Sequence, residues 1–137
     1  MKKILFVLFV LSGFMFGQVD HNPKYITSSI DSGATYLDIN LYNEFGTNVG
    51  EWYKIVGFFT PNALTTDSIY VQGYDVQQDT FRTVESEAGA GYLLKVEANK
   101  YYPLNKDYMR GLSRIRLSFT DIEAAARSFT IVGKVED

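Results

Sequence analysis

The sequence predicts an all-β protein, an antiparallel β-sandwich that is jelly-roll-like or discoidin-like. Three observations predict it. Apolar and polar side chains alternate with a period of two in several separate segments, which marks strands with one buried face. Clusters of Gly, Pro, Asn and Asp punctuate the chain between those segments. The segments recur roughly every 8 to 15 residues, the rhythm of short antiparallel strands.

Residues 1–17 break sharply from the rest. Lys2 and Lys3 precede an uncharged apolar run, 4–17, which reads as an N-terminal apolar helix. As a secretory signal it would be cleaved before Gln18, leaving small Gly17 at the cut and a larger Met15 two residues before it. As a retained anchor it falls just short of the usual span of about 20 residues. Residues 18–24 form a polar linker with Pro23, and 25–137 form the sandwich domain.

Within that domain 25–30 is a first strand and 31–33 a turn. In 35–42, Leu37, Ile39 and Leu41 face one way and Tyr36, Asp38, Asn40 and Tyr42 the other. Residues 43–50 are a loop. The largely apolar run 52–60 reads as a central strand covered on both sides, stopped by Pro61. Residues 68–74 place Ile69 and Val71 inward, with Tyr70 and Tyr74 on the opposite face. After a turn at 75–79, residues 80–85 return as a hairpin partner. A flexible loop, 87–91, leads to strands at 92–98 and 100–104. The loop 103–111 holds Leu104 and Met109, which should tuck onto the core. In 113–119, Ile115, Leu117 and Phe119 point inward while Arg114, Arg116 and Ser118 point out. Thr120 and Glu123 have capping-box spacing ahead of three alanines, which predicts one short helical turn over 120–127. The last strand is 128–136, with Phe129, Ile131, Gly133 and Val135 on one face.

Composition narrows the chemistry. The chain has 137 residues, ten Tyr, ten Phe, one Trp, one His and no Cys. Without cysteine there is no disulfide, thiolate metal site, cysteine nucleophile or lipid-modified cysteine. The formal charge is −3, and Lys2 and Lys3 lie in the leading segment, so the domain itself is more acidic. That argues against nonspecific nucleic-acid binding, which needs a basic footprint. His21 lies in the linker, a poor place for a triad or metal ligand. Asp31, Asp67, Asp75, Asp79 and Asp107 sit where turns are expected, and turn chemistry accounts for them. Asp75 with Asp79 offers oxygen ligands of the kind calcium takes, but no EF-hand spacing accompanies them. The run 89–91 lacks the phosphate-binding GxxxxGK[ST] pattern. No catalytic residue, metal or cofactor is therefore expected, and the chain reads as a non-enzyme.

A run of short segments then carries a resemblance. Ile55-Val56-Gly57, Pro61, Ser68-Ile69-Tyr70-Val71-Gln72-Gly73, Thr80-Phe81, Tyr102-Pro103-Leu104-Asn105, Gly111-Leu112 and Arg114-Ile115-Arg116-Leu117 follow one another over residues 52–119. In that order they resemble small virion-associated β-sandwich proteins of tailed phages, of the head-decoration, head-fibre or tail-associated type. The resemblance implies a non-enzymatic virion structural protein, a decoration, fibre or minor capsid subunit. Its partners would be other virion or capsid subunits, its state an oligomer, and its location the virion. Residues 1–17 would suit membrane anchoring in such a particle. The other reading is a secreted, extracellular bacterial binding module, for carbohydrate, using Trp52, Tyr53, Tyr70, Tyr74, Tyr101 or Tyr102 as a stacking platform. Tyr70, Tyr74, Arg114 and Arg116 are the candidate interface residues, since exposed aromatics and Arg carry contact energy. For Arg114 and Arg116 the competing expectation is pairing with cross-strand carboxylates.

Overall fold

Alternation of side chains decides which face of each strand is buried, and the strands pair from both ends of the described residues inward. A computed structural model describes residues 23–40, 53–109, 112 and 114–135. Nine strands form among them: β1 (Lys24–Ile30), β2 (Tyr36–Asn40), β3 (Tyr53–Phe59), β4 (Ser68–Asp75), β5 (Thr80–Thr83), β6 (Leu93–Lys95), β7 (Tyr101–Pro103), β8 (Arg114–Phe119) and β9 (Arg127–Val135). All pairings are antiparallel. β1 pairs β9, β2 pairs β8, β3 pairs β7 and β4 pairs β6, so the chain is one long hairpin. Two further ladders, β3 with β9 and β4 with β8, fold that hairpin over on itself.

The result is two sheets, in the orders β1-β9-β3-β7 and β2-β8-β4-β5. β4 pairs β8 over 69–73, so β5 and β6, which overlap that span, must share its other side. The inner faces meet in a core of Leu37, Ile39, Ile69, Val71, Ile115, Leu117, Phe119, Phe129 and Ile131. Each such side chain withdrawn from water contributes about 1.5–3 kcal/mol. Phe119 and Phe129 stack across the sandwich with ring centroids 5.7 Å apart. The predicted inward residues of 35–42, 68–74 and 113–119 are all buried, apart from Leu41, which lies outside the described residues. Leu104 and Met109 are buried as expected.

Two expectations change. The run 52–60 is not covered on both sides: β3 is an interior strand of its sheet, yet Phe59 is 41% exposed. A register shift between Ile55 and Gly57 changes the parity, so Ile55 and Phe58 both reach the core and Phe59 turns out. The outer side of Gly57 is filled by Tyr101. A Cβ there would stand against the Tyr101 ring and 2.6 Å from the Tyr102 carbonyl oxygen.

The helical turn over 120–127 is absent. These residues make bends and enter β9 at Arg127. Their backbone amides bond to other segments instead of along a helix. The Thr120 amide donates to the Thr66 hydroxyl, and the Glu123 amide to the Ala34 carbonyl. The Glu123 carboxylate, fully buried, accepts the amides of Thr65 and Thr66 at 3.0–3.1 Å. The predicted strand over 35–42 is described only as Tyr36–Asn40. The predicted N-terminal apolar helix, residues 1–17, lies outside the described residues, as does His21. Among the described residues no helix is long and apolar enough to cross a membrane.

Candidate functional site

The outer face of the β2-β8-β4-β5 sheet gathers the residues singled out above. β8 sends Arg114 and Arg116 outward, β4 sends Tyr70 and Tyr74, β2 sends Tyr36 and Asp38, and β5 adds Phe81. Asp38 lies directly across from Arg116 in the β2–β8 ladder. The pair is bidentate, with Arg116 Nε donating to Asp38 Oδ1 at 2.6 Å and Nη2 to Oδ2 at 2.9 Å. That bond holds the Arg116 guanidinium charged more firmly than usual. The same guanidinium is clasped between two rings, its Cζ 3.9 Å from the Tyr36 centroid and 4.1 Å from that of Phe81. Arg114 lies over Tyr74, 4.2 Å from the centroid, and 5.4 Å from Phe81. Tyr74 and Phe81 pack against each other at 5.2 Å. The face is thus a row of alternating rings and guanidiniums, an arrangement that stiffens long side chains by cation–π attraction.

Tyr74 donates its hydroxyl to Asp79, and this bond raises its pKa above the ordinary 10.0. Asp79 can approach because it turns the β4–β5 connection with a left-handed φ of 50°. Asp75 caps the same turn by accepting the amides of Gln77 and Gln78, and pairs with Arg82 at 3.1 Å. Asp31, Asp67 and Asp107 likewise sit in local turn contacts. No group of three or more His, Asp or Glu capable of holding a metal occurs among the described residues.

The structure therefore brings Tyr74, Arg114 and Arg116 into one row and leaves Tyr70 outside it. Tyr70 is on the same face, 39% exposed, paired across the ladder with Leu93, itself 40% exposed. Arg116 has the cross-strand carboxylate partner expected of it. Arg114 has no carboxylate partner among the described residues. Sequence reasoning missed Phe81 and the role of Tyr36 and Asp38. Their outward parity was readable, but the β2–β8 and β4–β5 neighbourhoods were not.

A second aromatic group lies on the other outer face. Tyr25, Phe59 and Tyr101 are 61%, 41% and 43% exposed, and the Phe59 and Tyr101 rings meet at 4.8 Å. Desolvation raises the Tyr101 pKa above 10.0. Tyr102, by contrast, stacks inward on Phe58 at 5.8 Å. The side chains of Trp52 and Tyr53 lie outside the described residues.

Fold and face together define an antiparallel β-sandwich whose surface chemistry is arginine and aromatic rings. No family model matches the chain, and no curated protein matches it. Two solved structures match at low identity. The SPBc2 prophage-derived protein YomS matches with a TM-score of 0.49 at 13% identity, over 86% of this chain and all of that one. The Drosophila NLP core, described in terms of pentamer formation and histone binding, matches with a TM-score of 0.34 at 6% identity, over 85% of this chain and 99% of that one.

Proposed function

We propose that the chain is a non-enzymatic structural subunit of a bacteriophage particle, of the decoration, fibre or minor capsid type. It would act by packing its β2-β8-β4-β5 face against an acidic neighbouring subunit, without metal, cofactor or nucleic acid. The observation that carries this reading is Arg114. Its guanidinium lies over Tyr74 and beside Phe81, and no described carboxylate neutralises it. A preorganised cation beside apolar rings gains more on being covered than a loose one, because less freedom is lost. The rolled-hairpin strand order is that of a jelly roll, an architecture frequent in viral capsid domains; this supports the reading by analogy of fold only. The resemblance over residues 52–119 points the same way. Residues 1–17 would be either a cleaved signal or an anchor in a particle that contains lipid.

The test is mass spectrometry of particles purified from the source culture. The chain should be present, and its first residue, Met1 or Gln18, decides between anchor and signal. Arg114→Glu should reduce its incorporation about tenfold or more, while its melting temperature stays within a few degrees. Absence from the particles would sink the proposal.

A secreted carbohydrate-binding module is the second reading, favoured by the grouping of Tyr25, Phe59 and Tyr101. Tyr74 cannot serve as a sugar platform while Arg114 covers its ring. Polysaccharide binding lost on Tyr101→Ala and kept on Tyr74→Ala would establish this alternative.

A further inference from the structure

The two sheets end in four edges, and three of them discourage further pairing. β7 is three residues long and includes Pro103. β5 and β6, of four and three residues, share one edge and are short. β2 carries Asp38, locked to Arg116. Short strands, proline and charge are the usual protections of an open edge. β1 has only Lys24, at its first position just after Pro23. It is seven residues long, and from Tyr25 to Ile30 there is no charge, proline or glycine. Its ladder with β9 runs from Lys24–Gly133 to Ile30–Arg127 without a register shift. Among the described residues no strand pairs its outer side. That side borders the open seam of the sandwich, where a cleft of about 420 Å³ is lined by Ser28, Ser29 and Ile30 from β1 and by Leu37 and Asp38 from β2.

We propose that this edge pairs with the same edge of a second copy of the chain, antiparallel, about a twofold axis at Thr27. The ends of the strand set that register. Pro23 has no amide hydrogen and stops the ladder before Lys24. The turn from Asp31 to Gly33, where φ is 85°, stops it after Ile30. When both stops are matched, Thr27 faces Thr27 of the partner subunit and Tyr25 faces Ser29 of the partner subunit. Lys24 faces Ile30 of the partner subunit and comes within one residue of Asp31 of the partner subunit, so opposite charges meet at both ends. A parallel pairing would instead set Lys24 against Lys24 of the partner subunit, a repulsive arrangement. The pairing is isologous and therefore closed, which limits it to two copies rather than a fibre. A single seven-residue edge buries less than the roughly 1,000 Å² of a self-sufficient interface. The dimer is accordingly concentration-dependent in solution and strengthened wherever subunits are already held close. The inference stands on the edge and its register, independently of the proposed virion role.

The chain has no cysteine, which makes cross-linking a clean test. Cys residues are placed in the full chain as Thr27→Cys, as Tyr25→Cys, and as Tyr25→Cys with Ser29→Cys, followed by mild oxidation. Facing residues in an antiparallel pair have Cα atoms about 4.5–5.5 Å apart, within disulfide reach. Two copies of position 25 would be offset by four residues, roughly 14 Å along the strand. Disulfide dimers should therefore form with Thr27→Cys and with the double variant, but not with Tyr25→Cys alone. Thr27→Lys should raise the dimer dissociation constant about tenfold or more in sedimentation, with an unchanged circular dichroism spectrum. Equal cross-linking at positions 25 and 27 would overturn the proposal. So would a wild-type chain that stays monomeric at millimolar concentration, or one that instead captures unrelated extended peptides on β1.

Discussion

Glu123 ties three connections together. Its carboxylate receives the amides of Thr65 and Thr66, its own amide donates to Ala34, and its carbonyl accepts the Gly33 amide at 2.8 Å. Arg127 Nε lies 3.6 Å away and makes no hydrogen bond, so the ion pair is secondary to the amide contacts. Removing a buried acceptor strands its donors, and Glu123→Ala should destabilise the fold by about 2–4 kcal/mol, read from the denaturation midpoint. The sequence suggested a helix cap at this position because residue type and spacing fit one. Nothing local revealed that the side chain would be claimed by residues nearly sixty positions earlier. Tyr101 carries a pH dependence. Desolvation favours its neutral form, so its folded pKa lies above 10.0. The stabilisation is complete below the unfolded value near 10 and lost as pH rises through the folded one. Absorbance titration should show a late tyrosine phase to which Tyr74 and Tyr101 both contribute, and Tyr101→Phe should remove its part of that phase and its share of the alkaline loss of stability.

At the scale of elements, strands with strict alternation were readable and those that depart from it were not. β2, β4 and β8 alternate, and their buried faces follow from the sequence. β3 looked doubly covered because its apolar residues are consecutive. Its bulge turns that run into a one-faced strand, a feature set by the pairing with β9 rather than by composition. The candidate face was legible as a list of outward residues on β4 and β8. Its organisation was not, since it depends on β2 and β5 flanking them. The Asp38–Arg116 bond joins β2 to β8 with ideal bidentate geometry, though both side chains remain partly exposed. A double-mutant cycle with Asp38→Ala and Arg116→Ala should give a coupling of about 0.5–1 kcal/mol that shrinks in high salt. A coupling that ignored salt would mean the rings of Tyr36 and Phe81, not the charges, hold Arg116 in place.

For the whole molecule, the nested pairing makes most stabilising contacts distant ones. β1 must find β9 and β2 must find β8 across most of the domain. Loop closure of that length precedes any reward from burial, so folding should be slow, on the order of milliseconds to seconds. Stopped-flow refolding faster than about 100 microseconds would contradict the topology. The two-sheet class could be inferred from strand number and spacing, but the order within each sheet could not, because no local signal marks which distant strands become neighbours.

The first ladder pair, Lys24 with Gly133, places the entrance and the exit of the described domain side by side. Tension applied through the two chain ends therefore meets the β1–β9 seam edge-on and opens it one rung at a time, like a zip. The same load applied between Ile30 and Lys134 runs along the strands and must break the whole seam at once. Single-molecule pulling should record a much lower rupture force through the ends than between positions 30 and 134. A subunit mounted by its leading residues could thus peel under a steady pull at its tail, while sideways drag on its faces left it seated.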